Sequence, residues 1–147
     1  MKLFPILIFA MLLSACGVHK NNSINDGDQP NANIMLTATI GEVNAPSDPF
    51  SISDVRVQGN KMFIEVSYSG GCQEHAFQLV GSSMIAKSLP PIRHMQLVHE
   101  SNDDACRMMI LKTIEIDVKA LAYQQETGSK IYLTIEGWQD RIEYTYE

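Results

Sequence analysis

Two short polar runs hold most of the side chains that could do chemistry. The first is Gly70-Gly71-Cys72-Gln73-Glu74-His75-Ala76-Phe77, and the second is His99-Glu100-Ser101-Asn102-Asp103-Asp104-Ala105-Cys106. Imidazole nitrogens and carboxylate oxygens are common ligands of Zn²⁺ and related divalent ions. If folding brings the runs together, they predict a divalent-metal site in a metal-binding protein or a metal-dependent hydrolase. Its ligands would come from His75, His99, Glu74, Asp103 and Asp104.

The same two runs allow two other interpretations. In one, Cys72, His75, His99 and Cys106 form a four-ligand zinc site, which requires free thiolates. In the other, which we favour, the runs are structural: the double glycine permits a turn, and the charged residues form solvated turns or a local ion pair. No Gly-x-Ser-x-Gly nucleophile motif occurs in the chain, and we predict no catalytic residue.

The N-terminus has the order of an export signal. Lys2 supplies a positive charge, and the apolar run Leu3–Leu13 follows, which is too short to span a bilayer as a helix. Leu13-Ser14-Ala15-Cys16 resembles the lipobox of bacterial lipoproteins. The resemblance implies that residues 1–15 are a cleaved signal peptide and that the sulfur of Cys16 carries a diacylglycerol, with a further palmitate-type acyl chain strengthening the membrane anchor.

The composition of residues 16–33 predicts a flexible tether. They are rich in Asn, Asp, Gly, Gln, Ser and Pro, and such a segment cannot bury enough apolar surface to offset the entropy of ordering. Gly17, rather than Asp, follows the lipidated cysteine. By resemblance to lipoprotein sorting in Gram-negative bacteria, this implies the outer membrane, with the periplasmic or surface face left open. A single domain of residues 34–147 would then be held at the membrane.

Charge and cysteine content narrow the function classes. The chain has 17 acidic and 11 basic residues and a formal net charge of −6, which argues against nucleic acid as a partner. With Cys16 assigned to lipid, Cys72 and Cys106 remain as an even pair in an oxidising compartment, and we predict a disulfide between them. Bonded cysteines have Cα atoms within about 7 Å, so the bond would bring the two polar runs to one end of the domain.

From Ile34 onward, apolar residues alternate with a period of two in short segments bounded by turn residues, which is typical of an all-β domain. Gly59-Asn60 predicts a two-residue hairpin turn with glycine first, and Lys119–Tyr123 predicts a single helical turn. We predict an immunoglobulin-like antiparallel β-sandwich of seven to eight strands, with a small antiparallel barrel as the alternative. The eight strand segments are Ile34–Ile40, Phe50–Val57, Met62–Tyr68, His75–Val80, Met95–His99, Met108–Val118, Lys130–Glu136 and Arg141–Tyr146.

The run Tyr68–Phe77, with Leu89-Pro90-Pro91 and Asp104-Ala105-Cys106 downstream, resembles a group of small uncharacterised bacterial lipoproteins. The resemblance rests on a Gly-Gly-Cys-x-Glu-His-x-Phe motif and implies no activity. We therefore predict an envelope lipoprotein that binds a protein or glycan partner without catalysis and needs no cofactor. The alternatives are the metal-binding protein or hydrolase described above and an inhibitor of a secreted enzyme.

Overall fold

The alternating apolar pattern folds into two stacked β-sheets. The computed structural model describes residues 35–147, and the sheets have the strand orders β1-β7-β4-β3 and β2-β5-β6-β8-β9. The all-β sandwich is confirmed, and the sheets do not close into a barrel. The elements are β1 Leu36–Thr37, β2 Thr39–Gly41, β3 Ser51–Gln58, β4 Lys61–Gly70, β5 Ala76–Ala86, β6 Ile92–Glu100, β7 Met108–Asp117, a 3₁₀ turn Lys119–Leu121, β8 Lys130–Ile135 and β9 Ile142–Thr145.

The first predicted strand is split into two, because its two halves pair with different sheets. Ile34 of the predicted strand Ile34–Ile40 lies outside the described residues. The rest of the segment is divided at Ala38, with β1 beside β7 in one sheet and β2 beside β5 in the other. Ala38 is buried at the crossing and donates its N–H to the carbonyl of Asp117 at 2.9 Å. Both ladders are parallel, as is the ladder between β6 and β8, so the sheets are mixed rather than purely antiparallel.

The core lies between the sheets and follows the predicted period of two. On β4, Met62, Ile64, Val66 and Tyr68 all face inward and are buried. Gly59 opens the hairpin from β3 to β4 with a φ of 58°, a backbone conformation that side-chain-free glycine adopts at little cost. No helix in the described part of the chain is long and apolar enough to cross a membrane.

Two connections between the sheets place the polar runs together. β4 pairs with β7 so that Gly70 lies opposite Met108, and β5 pairs with β6 so that Ala76 lies opposite Glu100. The chain therefore crosses from β4 to β5 and from β6 to β7 at the same end of the sandwich. The two polar runs therefore lie at one end of the sandwich, as predicted from the sequence.

Candidate functional site: a buried Asp–His–His cluster

A disulfide fixes the two crossing connections to each other. Cys72 is bonded to Cys106, as predicted, with their Cα atoms 5.8 Å apart. The bond closes a loop of 34 residues along the chain, and such a loop contributes roughly 3–4 kcal/mol to stability in the chain-entropy description. Because both sulfurs are used in the bond, the zinc site with Cys72 and Cys106 as thiolate ligands is wrong.

Asp104 is the centre of the cluster. Its Oδ2 accepts the backbone N–H groups of Gly71, Cys72 and Gln73 at 2.8, 2.9 and 3.0 Å. Its Oδ1 accepts the N–H of Cys106 at 2.8 Å. The hydrogen bond from Gln73 is the largest cause that holds the pKa of Asp104 well below its ordinary value, because hydrogen bonds to the charged carboxylate favour ionisation. The Asp104 carboxylate thus forms hydrogen bonds with the backbone of both connections.

A chain of hydrogen bonds runs inward from this carboxylate through two histidines. His75 Nε2 lies 3.2 Å from Asp104 Oδ2, and His75 Nδ1 lies 2.8 Å from His99 Nε2. His99 Nδ1 lies 3.3 Å from the carbonyl oxygen of Asp48. The side chains of His75 and Asp104 are 1% and 0% exposed, and His99 is buried. The predicted convergence of the two histidines is therefore present, in the interior rather than at the surface.

Aromatic rings close the sides of the histidine pair. Tyr68 stacks on His75 with ring centroids 4.6 Å apart, and Phe77 stacks on His99 at 4.5 Å. Phe50 meets His99 edge to face at 5.7 Å. Gly70 is required beside the pair, since a Cβ at this position would lie 2.6 Å from His75 Nε2. The rings and the glycine leave the imidazoles enclosed.

The hydrogen-bond chain ends on an acceptor at each side. The Asp104 carboxylate and the Asp48 carbonyl can only accept, so the two imidazoles supply the donors of this chain.

The remaining predicted ligands do not join this cluster. Glu74 and Asp103 are exposed, and Asp103 has a φ of 56° in the turn before Asp104. In residues 35–147, the grouping of three ligand atoms within reach of one ion combines Asp104 with the disulfide sulfurs and includes neither histidine. The facing nitrogens of His75 and His99 lie at hydrogen-bond distance from each other instead. A divalent-metal site at His75, His99, Glu74, Asp103 and Asp104 thus stays a prediction from sequence, and the geometry favours the structural interpretation.

Asp48 is the member of the cluster that the sequence did not point to. It precedes Pro49 in the connection to β3, and its own N–H donates to the carbonyl of His99 at 2.9 Å. Its Oδ2 accepts the N–H of Ser101 at 2.7 Å, and hydrogen bonding by Ser101 lowers the pKa of Asp48. Nothing in the turn-like composition of residues 44–49 distinguishes this aspartate from an exposed turn residue.

We expect the free energy of unfolding to fall as the pH is lowered below about 6.5. Burial is the largest cause that lowers the pKa of His99 below 6.5, and repulsion from His75 adds to it. In this range the unfolded chain therefore binds a proton at residue 99 that the folded chain does not, so this contribution is complete above the unfolded pKa and declines below it. Urea unfolding at several pH values measures the decline.

The matched variants for this measurement are His99→Phe and His94→Phe. His94 is exposed, so its replacement leaves the decline in place, whereas His99→Phe removes it. A decline that persists unchanged in His99→Phe would contradict the assignment to the buried imidazole.

Within residues 35–147, the largest run of exposed apolar side chains lies elsewhere, along β7. Met108, Met109 and Leu111 are 63%, 73% and 78% exposed. β4 pairs with the whole strand on one side, but β1 covers only Ile116 and Asp117 on the other. Among the described residues, Met108–Glu115 thus has an open edge, and Lys112 lies on it with its Nζ 5.9 Å from the Phe77 ring. We call this stretch the β7 edge.

Comparison with known proteins shows the fold. No family model and no curated protein matches the chain. A NigD-like immunity protein from Bacteroides caccae is 16% identical, with a TM-score of 0.55 over 77% of this chain and 65% of that chain. A protein of unknown function, DUF1344, from Bacteroides vulgatus is 14% identical, with a TM-score of 0.51 over 77% and 58%. The chain spans less than two thirds of the length of either structure.

Proposed function

We propose that this protein is an envelope lipoprotein, anchored through Cys16, whose domain acts by binding a protein partner rather than by catalysis. One contrast carries the proposal. The titratable cluster is enclosed and its polar atoms are paired with one another, whereas the exposed apolar side chains concentrate along the β7 edge. An unpaired strand edge recognises extended polypeptide backbone, which favours a protein over a glycan as the partner.

Site-specific photo-crosslinking in cells tests the binding function. A benzophenone amino acid at Leu111 is expected to give a covalent adduct, and the same group at Met84 is expected to give none. Met84 is a matched control because it is 80% exposed on the other sheet, on β5. Equal labelling from both positions, or none from Leu111, would rule out the β7 edge as the binding surface.

Metabolic labelling with a fatty-acid analogue tests the anchor separately. The wild-type chain is expected to incorporate the label and to fractionate with membranes, in agreement with the lipobox-like residues Leu13–Cys16. Cys16→Ser is expected to lose the label. Label retained by Cys16→Ser, or absent from the wild type, would contradict anchoring at this residue.

A second candidate is neutralisation of a toxin or other secreted enzyme at the cell envelope. It is supported by the fold shared with the NigD-like immunity protein. A deletion strain is then expected to become sensitive to proteins secreted by neighbouring strains, and the wild-type gene is expected to restore resistance. A deletion strain with unchanged sensitivity across such secretions counts against this function and leaves the general binding function in place.

A further inference from the structure

We infer that the chain's own residues 31–35 continue β1 along the β7 edge, and that a protein partner has to displace them to reach the backbone of this edge. We call these residues the N-terminal strap. Met35 is the first described residue, and residues 31–34 lie outside the described part of the chain. The role of the partner rests on the proposed binding function, whereas the register of β1, the backbone of β7 and the strap sequence carry the contact itself.

The register of β1 directs the preceding chain along the β7 edge. β1 pairs in parallel with the end of β7, and Leu36 lies beside Ile116. Each step back along one strand of a parallel pair is also a step back along the other strand. The five strap residues therefore follow the β7 edge from Glu115 to Leu111. They are continuous with β1, so their pairing extends an existing ladder and requires no loop closure.

The backbone of the β7 edge is set for a neighbouring strand. The carbonyl of Asp117 points away from β4, because it accepts the N–H of Ala38. Backbone groups of successive residues alternate sides along a strand, and β7 pairs with β4 without a register shift. Leu111, Thr113 and Glu115 therefore direct their N–H and C=O groups to the same side as Asp117, which is the side that the strap reaches.

The strap sequence Asn31–Met35 has the alternation that this position requires. Leu36 packs against the core, so every second residue before it, Ile34 and then Ala32, takes an inward position. The outward positions hold two asparagines and Met35, whose exposure of 44% agrees with an outward position. The strap is thus apolar toward the core and mainly polar toward water, as a strand with one solvated face has to be.

The inner face of β7 matches the two inward positions of the strap. Ile114, which lies beside Ile34 in this register, is 4% exposed and belongs to the core. Lys112 lies beside Ala32, and its Nζ extends to 5.9 Å from the Phe77 ring. A small residue next to the long lysine side chain avoids crowding between the closely packed sheets.

Pro30 sets the far end of the strap. In this register its nitrogen faces the carbonyl of Met109, but proline has no N–H to donate. Within sheets, proline is confined to edge strands, bulges and the first residues of strands. The pairing therefore ends at Leu111, and Met108 and Met109 stay uncovered.

The strap is held weakly enough for a partner to displace it. Ordering its residues costs conformational entropy, which a few exposed hydrogen bonds and one isoleucine side chain barely offset. Segments of this kind open locally while the rest of the domain stays folded. A polypeptide that pairs with the β7 edge uses the same N–H and C=O groups, so the partner and the strap exclude each other.

Amide hydrogen exchange followed by NMR on the full lipidated chain in detergent micelles tests the strap. The reporter is the N–H of Thr113, on the side of β7 that the strap reaches. We expect this amide to exchange at least about tenfold faster in Ile34→Asn than in the wild type, because the variant loses the inward apolar side chain. The amide of Ile64, on β4 in the core, is expected to exchange at the same rate in both chains.

Met35→Asn is the matched control. It makes the same change from an apolar side chain to an amide at the next residue, which takes an outward position. We expect exchange of the Thr113 amide in this variant to stay within about twofold of the wild-type rate, as for surface substitutions in general.

Photo-crosslinking from Leu111 in cells tests the competition with a partner. With the benzophenone amino acid at Leu111, Ile34→Asn is expected to give severalfold more adduct than the otherwise wild-type chain, because the open strap leaves the β7 edge free. Met35→Asn is expected to give the same amount as the otherwise wild-type chain.

The outcomes distinguish the strap from the proposed function. Fast exchange of the Thr113 amide in the wild type, or equally slow exchange in Ile34→Asn, overturns the strap. Equal acceleration at Thr113 and Ile64 also overturns it, since residue 34 would then belong to the globally unfolding core. Protection of Thr113 that rises with protein concentration would assign the edge to a second copy and overturn it as well.

The crosslinking outcomes bear on the partner alone. Loss of protection at Thr113 with an unchanged yield of adduct from Leu111 overturns the competition. Absence of adduct from all three chains overturns both the competition and the proposed binding surface, whereas slow exchange at Thr113 that depends on Ile34 would still establish the strap.

Discussion

Replacement of Asp104 by Asn is expected to lower the melting temperature by roughly 10 °C or more. The substitution keeps the shape of the side chain but exchanges a charged acceptor for an amide. Oδ2 accepts three backbone N–H groups and lies beside His75 Nε2, while Oδ1 accepts the N–H of Cys106. Whichever way the amide of Asn is turned, its NH₂ group faces a donor and the negative charge is lost. The substitution therefore weakens hydrogen bonds in both connections and at the histidine pair. Thermal unfolding followed by circular dichroism, with the disulfide intact, measures it.

Asp103→Asn is the matched control for this variant. It makes the same chemical change one residue earlier, at an exposed side chain in a turn conformation that Asn tolerates as well as Asp does. We expect its melting temperature to stay within about 2 °C of the wild type, as for surface substitutions in general. Equal shifts in the two variants would show that loss of negative charge in the turn, and not loss of the buried acceptor, destabilises the domain.

Replacement of Arg93 by Met is expected to lower the free energy of unfolding by about 2–4 kcal/mol. Arg93 is buried on β6, and its guanidinium group donates to three backbone carbonyls: Ser82, Leu121 at 3.0 Å and Ala122 at 3.4 Å. Within residues 35–147 no carboxylate lies at ion-pair distance from it. Burial accordingly lowers the pKa of Arg93. Removing the donors leaves three carbonyls unpaired in the interior.

Two further variants, also measured by urea unfolding, test which property of Arg93 stabilises the domain. Arg93→Lys is expected to recover little of the loss, because a single ammonium cannot match the fork of a guanidinium group. Arg56→Met removes an exposed arginine that bonds Asp54 and Glu65, and such surface pairs contribute at most about 1 kcal/mol. Full recovery in Arg93→Lys would mean that buried charge, rather than the three directed hydrogen bonds, sets the contribution of this residue.

The period of two in the sequence was sufficient to predict most of the sandwich. On β4 the apolar residues that alternate along the strand are the buried ones, and the even pair of cysteines forms the disulfide. The predicted fourth strand ended at Val80, whereas β5 continues to Ala86. Gly81 is needed there for close packing, since a Cβ on it would lie 2.4 Å from Leu121. Such long-range contacts have no local signature.

Only part of the site could be predicted from the sequence, again because long-range contacts leave no pattern in the local sequence. A disulfide between the two runs implies that His75 and His99 converge, and they do. Residue types alone do not say whether imidazoles and carboxylates face an ion or each other. The difference depends on the depth of the pair in the core and on Asp104 accepting the N–H groups of residues 71–73, and both follow from the tertiary fold. Arg93 was missed because the predicted strand began at Met95, whereas β6 begins at Ile92.

The division of the first strand at Ala38 has a mechanical consequence. β1 and β2 lie parallel to β7 and β5, with two and three residue pairs respectively. A pull on the chain before Leu36, directed along the strand, would load these ladders in shear and in succession, first against one sheet and then against the other. Detachment of residues 36–41 would uncover an edge of both sheets at once. Five residue pairs thus hold residues 36–41 to the two sheets against such a force.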